Sequence, residues 1–268
     1  MGHRNLLISS VALLCLLLLA SVGCSKAEEL APALVLERAY AATQEVTSYH
    51  FTMSVAVAAE GMGEFHVSNG EGDYVAPDRV RMKSTEGVEL SEQINIGRKM
   101  YIKPSESSAW FVQEFPKDEP TFATGFGNMV DPKRNLEFMQ SPGENVTQLD
   151  DEVIDDVESW RYRLPTTSTD PLKNLMEDIE KEADPQRKEM LGALIEVMRK
   201  MGERTRTTEI WIGKEDYLVR QFSTATSQNA VGSEEFGNIT IPEGTRYTVT
   251  MTFKLFGFNE PVEIEAPI

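Results

Sequence analysis

The chain has 268 residues, of which 41% are hydrophobic and 26% are charged, so it has enough apolar material for a folded core and is not intrinsically disordered. Its 43 acidic and 26 basic residues give a net charge of -17, which excludes a nucleic-acid groove lined by Lys and Arg. The two cysteines, Cys15 and Cys24, both lie near the start, so neither a disulfide framework nor a cysteine-based zinc site can support the folded body.

The first residues are typical of a secretory signal. Residues 6–20 form an apolar run that follows Arg4 and is too short to span a bilayer comfortably. The run ends in Ala20-Ser21-Val22-Gly23-Cys24, which resembles the bacterial lipobox. That resemblance implies cleavage before Cys24 and attachment of a diacylglyceryl group to its sulfur, and two acyl tails anchor a protein stably. The alternatives are an ordinary secretory signal, with Cys24 as a bystander, or an uncleaved helix.

This reading divides the chain into three parts: a signal peptide at 1–23, a lipidated N-terminus with a short tether at 24–29, and one domain at 30–268. We therefore expect an exported protein that is lipid-anchored to the outer face of the cell membrane or to the outer membrane. No later segment reaches 18 consecutive apolar residues, so we do not expect the mature chain to span a membrane.

The body begins with one amphipathic helix and continues as strands. Pro32 stands near the first turn of the helix, and Leu36, Ala39 and Thr43 share one face. From Tyr49 the apolar residues recur at every second position, which predicts a strand with one buried side. Turn residues separate further predicted strands at 64–74, 79–84, 88–96, 99–103 and 109–115.

The second half predicts strands, then two helices, then strands again. Strands are predicted at 145–153 and 157–164. Asp170-Pro171 and Asp184-Pro185 each start an amphipathic helix, and Gly202 ends the second one. The last three strands are predicted at 205–212, 217–227 and 246–256. The predicted fold class is α+β, a curved antiparallel half-barrel sheet with several helices packed on its concave face.

Several segments in this order resemble one family. Residues 70–81 and 94–102, with Trp110 after a polar turn, look like the front half of the LppX/LprG/LprA lipoproteins and their LolA-like relatives. Residues 209–220 and 258–267 resemble the later paired strands and closing segment of that family. The resemblance covers roughly residues 30 to 268 and implies a half-barrel whose concave face and helices enclose a cavity for lipid or acyl chains.

We find no motif for enzyme chemistry. The sequence lacks a nucleophile elbow, a zinc-binding His-Glu-x-x-His and a Ser/His/Asp set, so we expect no catalytic residue, metal site or cofactor. His50 and His66 fall on predicted strands and are interpreted as surface residues. The acidic run at 150–158 lacks calcium-loop spacing, which favours a solvated turn over a weak calcium site.

The apolar side chains are therefore the candidate site. The chain has 12 methionines, whose flexible thioethers adapt to irregular ligands, although filling the sheet–helix interface would also explain them. The residues predicted to line a cavity are apolar and lie on strands or on the two later helices: Met53, Val55, Met82, Ile94, Met100, Phe111, Leu175, Met176, Leu191, Leu194, Ile195, Met198, Trp211, Met251 and Phe253.

Two functions follow from these patterns. The first is a membrane-anchored, non-enzymatic lipoprotein that binds or carries a lipid or other acyl-chain ligand, with residues 172–201 as a movable lid. The second is a structural or regulatory envelope lipoprotein that binds a protein partner through its outer sheet face or acidic loops.

Overall fold

The computed structural model describes residues 30–86, 89–106, 108–115, 146–164, 167–169, 204–237 and 239–267, with residues 188, 192, 195, 199, 200 and 202. The lipobox cysteine, the loop between 116 and 145 and most of the two later predicted helices lie outside these residues.

One continuous helix, α1, spans Pro32–Gln44. Proline lies in its first turn, where the missing amide hydrogen costs no helical hydrogen bond. Val35, Leu36, Ala39 and Thr43 form its buried stripe, and the Thr43 hydroxyl donates to the Ala39 carbonyl at 2.8 Å. The predicted first helix is confirmed, and its apolar stripe faces the sheet.

Within the described residues fourteen strands follow, in three groups along the chain. The first group runs β1 Ser48–Ala59, β2 Gly63–Val75, β3 Arg79–Glu86, β4 Glu89–Ile96, β5 Lys99–Lys103 and β6 Phe111–Glu114. The second is β7 Thr147–Ile154, β8 Val157–Arg163 and β9 Thr167–Thr169. The third is β10 Arg204–Gly213, β11 Val219–Asn229, β12 Glu234–Phe236, β13 Ile239–Ile241 and β14 Arg246–Phe256.

Twelve of these strands form one antiparallel sheet that is curved and open. Its continuous path runs β6-β5-β4-β3-β2-β1-β14-β11-β10-β8-β7, and β9 pairs with β10 beside that path. The first six strands are a simple meander, and the last strand, β14, inserts between β1 and β11. Strands β12 and β13 form a separate hairpin. The predicted antiparallel half-barrel fits this arrangement.

The prediction of several helices on the concave face is not supported, and the described part of the chain is mostly β. Within it, α1 is the one continuous helix. Residues 188, 192, 195, 199 and 200 are helical, and the predicted stop Gly202 has a positive φ of 66° and donates its amide hydrogen to the Arg199 carbonyl. The rest of the segment at 170–201 lies outside the described residues.

The strand register defines two faces of the sheet. Met53, Phe253, Phe222 and Ile210 lie side by side in four neighbouring strands, and the cluster they join includes the buried stripe of α1. We call this side the inner face. Side chains alternate along a strand, so Thr52, Lys254, Gln221 and Trp211 share the opposite, outer face.

Two glycines let the large inner side chains of β1 lie across β2. A Cβ on Gly72 would stand 2.5 Å from Phe51 Cζ and would overlap the Arg81 carbonyl oxygen. A Cβ on Gly70 would stand 3.3 Å from Met53 Cε. The absence of these two methyl groups gives Phe51 and Met53 room against the backbone of β2.

Candidate ligand-binding surface

The inner face is most tightly packed where α1 covers it. Tyr49, Phe51, Tyr74, Phe253 and Leu255 are each at most 2% exposed. Two pairs of aromatic rings stack here: the ring centroids of Tyr49 and Tyr74 are 4.8 Å apart, and those of Phe222 and Phe253 are also 4.8 Å apart. This first cluster is a buried core that holds α1 against the sheet.

α1 is also fixed at the turn between β10 and β11. Arg38 Nη1 donates a hydrogen bond to the Tyr217 hydroxyl at 2.7 Å, and the Arg38 guanidinium lies 5.2 Å from the centre of the Tyr217 ring. Tyr217 has a positive φ of 59°, and its ring packs near Trp160. The helix is therefore anchored to the sheet by a polar contact as well as by its apolar stripe.

A second, smaller cluster closes the other end of the inner face. Val57, Ala59 and Tyr247 from the sheet pack with Ala230 and with Ile241 of the β12–β13 hairpin. The Tyr247 hydroxyl donates to Glu234 Oε2 at 2.6 Å and accepts from the Gln228 amide. Burial, followed by the Glu234 carboxylate, raises the pKa of Tyr247 to about 12, so this hydroxyl remains a hydrogen-bond donor at neutral pH.

Between the two clusters lies a strip that is only partly buried. Val55 pairs with Met251, Met251 pairs with Thr224, and Val249 pairs with Thr226. All five side chains are partly exposed. We call these five residues the inner band. It offers apolar area that the described residues do not fully cover, bordered on the β11 side by hydroxyl groups.

Five of the predicted site residues lie together around this band. Met53, Met82 and Phe253 belong to the first cluster, while Val55 and Met251 pack against it and are partly exposed. Met100 and Phe111 follow the same alternation on β5 and β6, towards the sheet edge, where Phe111 is 61% exposed. Ile195 is buried at 8% exposure. Cys24, Leu175, Met176, Leu191, Leu194 and Met198 lie outside the described residues.

Two predicted site residues lie on the other side of the sheet. Ile94 pairs with Arg81, and Trp211 pairs with Arg161 and Gln221, so both point to the outer face. Both are buried there, at 5% and 4% exposure, and neither belongs to the inner clusters. The structure therefore places these two residues on the opposite side of the sheet from the inner band.

Trp211 is covered by charged residues. Its indole nitrogen donates to Glu152 Oε2 at 2.8 Å, and the Arg161 guanidinium lies 4.9 Å from its ring centre. Arg161 and Arg163 each donate two hydrogen bonds to the Glu209 carboxylate, at 2.6–3.1 Å. Burial alone would raise the pKa of Glu209, but these two guanidinium groups outweigh it and hold the pKa below its ordinary value.

The outer face also holds a groove that was not predicted. Its volume is about 610 Å³, and most of the residues that line it have polar side chains: Thr52, Met53, Ser54, Asn69, Gly70, Glu71, Lys83, Thr85, Thr252 and Lys254. A smaller neighbouring pocket shares Thr52, Glu71 and Lys83 with it. Strand alternation identified these positions as the polar side, but only the register across four strands shows that they share one groove.

The described residues show little that points to metal chemistry. No group of three or more His, Cys, Asp or Glu side chains within the described ranges could hold a metal ion. His50 lies on the outer face, with its Nδ1 2.6 Å from Asp73 Oδ1.

No described helix has the length and apolar character needed to cross a membrane.

Known proteins were compared with this chain by sequence and by structure. The sequence matches no protein-family model and no curated protein. LppX, a lipoprotein of Mycobacterium tuberculosis, is 14% identical with a TM-score of 0.46, over 87% of this chain and 97% of LppX. LprF of Mycobacterium bovis is 13% identical with a TM-score of 0.45, over 88% of this chain and 96% of LprF.

A LolA superfamily protein of Nitrosomonas europaea is 11% identical with a TM-score of 0.28, over 84% of this chain and 93% of its own. The solved structures similar to this chain thus include a lipoprotein and a LolA superfamily member.

Proposed function

We propose that this protein binds a lipid-like ligand on the inner face of its open sheet and is held at the cell envelope by an acylated Cys24. The observation that carries this proposal is the inner band, where Val55, Val249 and Met251 stay partly exposed between two fully buried clusters. A stable core would be expected to cover such residues, whereas a binding surface leaves them accessible.

The energetics favour an acyl chain as the ligand. Each methylene group that leaves water contributes about 0.8 kcal/mol, so even partial burial of a long chain against the inner band would bind it well. The partly exposed Met251 also favours an acyl-chain ligand, because a thioether adapts to ligands of irregular shape. The buried stripe of α1 at one end and Ile241 of the β12–β13 hairpin at the other pack against the sheet and give the band a fixed shape.

The proposal is tested by placing a charge in the inner band. Met251→Glu should weaken the binding of a fluorescent fatty acid by about tenfold or more, because the bound acyl chain would desolvate the carboxylate of the new glutamate side chain. Thr250→Glu is the matched control, since it adds the same charge on the outer face of the same strand. Unchanged binding by a folded Met251→Glu protein would contradict the proposal, and circular dichroism would verify the fold.

A second candidate is a protein partner that docks in the outer groove. The supporting observation is that Lys83 lies opposite Glu71 on one side and Glu92 on the other, yet its ammonium pairs with neither of them. Charged groups left free in a groove of this size are available to a partner's side chains.

This candidate is tested in cells with a photo-crosslinking amino acid. The amino acid is placed at Thr52 in the groove and, as a control, at Ala58 on the same face of the same strand. A defined protein adduct from position 52 alone would support docking in the groove. No adduct, or equal adducts from both positions, would contradict it.

A further inference from the structure

Two arginines stand together on the inner face at the start of β10. Arg206 pairs with Thr226 of β11, which in turn pairs with Val249 of β14. Arg204 is two residues earlier and therefore points to the same side. Arg204 also acts electrostatically on the Tyr247 hydroxyl of the second cluster.

Both side chains are exposed, and neither forms a hydrogen bond or an ion pair with any residue in the described ranges. Several other described arginines pair with carboxylates: Arg81 binds Glu92, Arg161 binds Glu209 and Glu152, and Arg220 binds Asp216. The chain carries 43 acidic residues against 26 basic ones, so potential partners are abundant. Two like charges on one face without a counter-charge repel each other, and an anion between them would relieve that cost.

The pair lies within reach of the inner band. Two strand spacings separate Arg206 from Val249, which is about 10 Å across the sheet. Thr208 and Thr224 lie between the pair and Met251, so the surface passes from apolar through hydroxyl to cationic. A guanidinium group presents paired N–H donors that match the oxygens of a carboxylate or a phosphate.

We propose that Arg204 and Arg206 bind the anionic headgroup, a carboxylate or a phosphate, of an amphiphile whose apolar chain lies on the inner band. This inference rests on the proposed function, and it adds that the ligand is charged and that its orientation is fixed. The headgroup lies towards the start of β10, and the chain runs towards β14 and β1.

The test compares two probes that share one acyl chain. The lipid-free protein is titrated with cis-parinaric acid, which is anionic, and with its neutral methyl ester, at pH 8 and low salt. We expect the acid to bind more tightly, with a preference that shrinks as salt increases. In the double variant Arg204→Gln/Arg206→Gln, affinity for the acid should fall about tenfold while affinity for the ester stays unchanged.

Arg246→Gln is the matched control. Arg246 is also an exposed arginine without an ion pair among the described residues, but it precedes inner-face Tyr247 and so belongs to the outer face. Arg246→Gln removes one positive charge at the same end of the sheet, against two in the double variant, and its binding of both probes should match that of the unchanged protein. A loss of acid binding equal to that of the double variant would show a general charge effect and would overturn the proposal.

The remaining outcomes separate this inference from the proposed function. Equal binding of the acid and the ester by both proteins would overturn the headgroup site and leave lipid binding intact. Failure of the unchanged protein to bind either probe would overturn both. A third arm uses inorganic phosphate as competitor: if it displaces the acid and the ester alike, the arginines hold a free anion and not a headgroup, which also overturns the proposal.

Discussion

At the scale of single residues, Gly72 shows how closely β1 and β2 approach. A methyl group at this position would overlap the Arg81 carbonyl oxygen and stand 2.5 Å from Phe51 Cζ, in the most tightly packed part of the inner face. The backbone of β3 cannot move away without breaking its pairing with β2. We therefore expect Gly72→Ala to lower the free energy of unfolding by about 1–3 kcal/mol.

Denaturant unfolding measures this effect. Gly232→Ala is the control, because a methyl group added at Gly232 would meet no heavy atom within 4 Å and the φ of this residue is not positive. Gly232→Ala should leave the free energy of unfolding nearly unchanged. Equal stabilities of the two variants would show that the β1–β2 contact is looser than these distances imply.

Glu209 makes the stability of the outer face depend on pH. Its pKa is held below the ordinary value of 4.5 in the folded state, by Arg161 and Arg163 against the effect of burial. The folded carboxyl therefore contributes stability above the unfolded pKa, and this contribution is lost as the pH falls through the folded pKa. The difference in unfolding free energy between the unchanged protein and Glu209→Gln should be largest near neutral pH and should shrink below about pH 4.5.

Unfolding curves at several pH values test this expectation. Glu64→Gln provides the comparison, since Glu64 is exposed and has no ion pair among the described residues. Its effect should vary less with pH in that range. A Glu209→Gln difference that stays constant from pH 3 to pH 7 would contradict the role assigned to the two arginines.

Ile94 and Trp211, the two predicted site residues on the outer face, show what alternation cannot decide. Trp211 stands between Ile210 and Ile212, so the local sequence is apolar on both sides of the strand and identifies no inner face. Around Ile94 the alternation is clear, but the apolar residue faces outwards and the polar residues face inwards. Gln93 and Asn95 occupy the inner side, where Gln93 Nε2 donates a hydrogen bond to Asn95 Oδ1 at 3.3 Å. The outer side there is reached by the C-terminal segment, where the buried Ile264 accepts a hydrogen bond from Arg79.

At the scale of elements, α1 offers a direct comparison between a buried and an exposed leucine. Leu36 is fully buried against the inner face, whereas Leu34, two residues earlier, is 37% exposed. Leu36→Ala should lower the free energy of unfolding by about 2–5 kcal/mol, because it leaves a cavity in the first cluster. Leu34→Ala should cost much less.

The same pair of variants tests whether α1 is part of the folded core or a detachable cover. If both substitutions cost little in denaturant unfolding, the helix does not contribute to the cooperative fold. A large cost for Leu36→Ala alone would show that α1 and the sheet unfold together.

The long strands could be predicted because turns and alternation agree in them. The predicted strands at 99–103 and 246–256 match β5 and β14 at both ends, and the ends of the other long strands differ from their predictions by at most two residues. The three-residue strands β9, β12 and β13 were not predicted, because so short a segment carries too little alternation to detect. The inner band needed the register as well, since its residues come from three separate strands.

At the scale of the whole molecule, the chain is expected to be anchored through Cys24. Labelling of growing cells with radioactive palmitate should mark the unchanged protein, and Cys24→Ser should abolish both the label and membrane retention. Cys15→Ser is the control, because that residue lies in the segment predicted to be removed. Equal labelling of all three proteins, or none, would contradict lipid attachment at Cys24.

The central claim is that an acyl chain lies on the inner face. The most direct measurement is photo-crosslinking with a diazirine-bearing fatty acid, followed by mass-spectrometric mapping of the modified residues. We predict adducts at Val55, Val249 and Met251 and none on the outer-face residues between them, such as Ser54, Thr250 and Thr252. Adducts spread equally over both faces, or confined to the outer groove, would contradict the account.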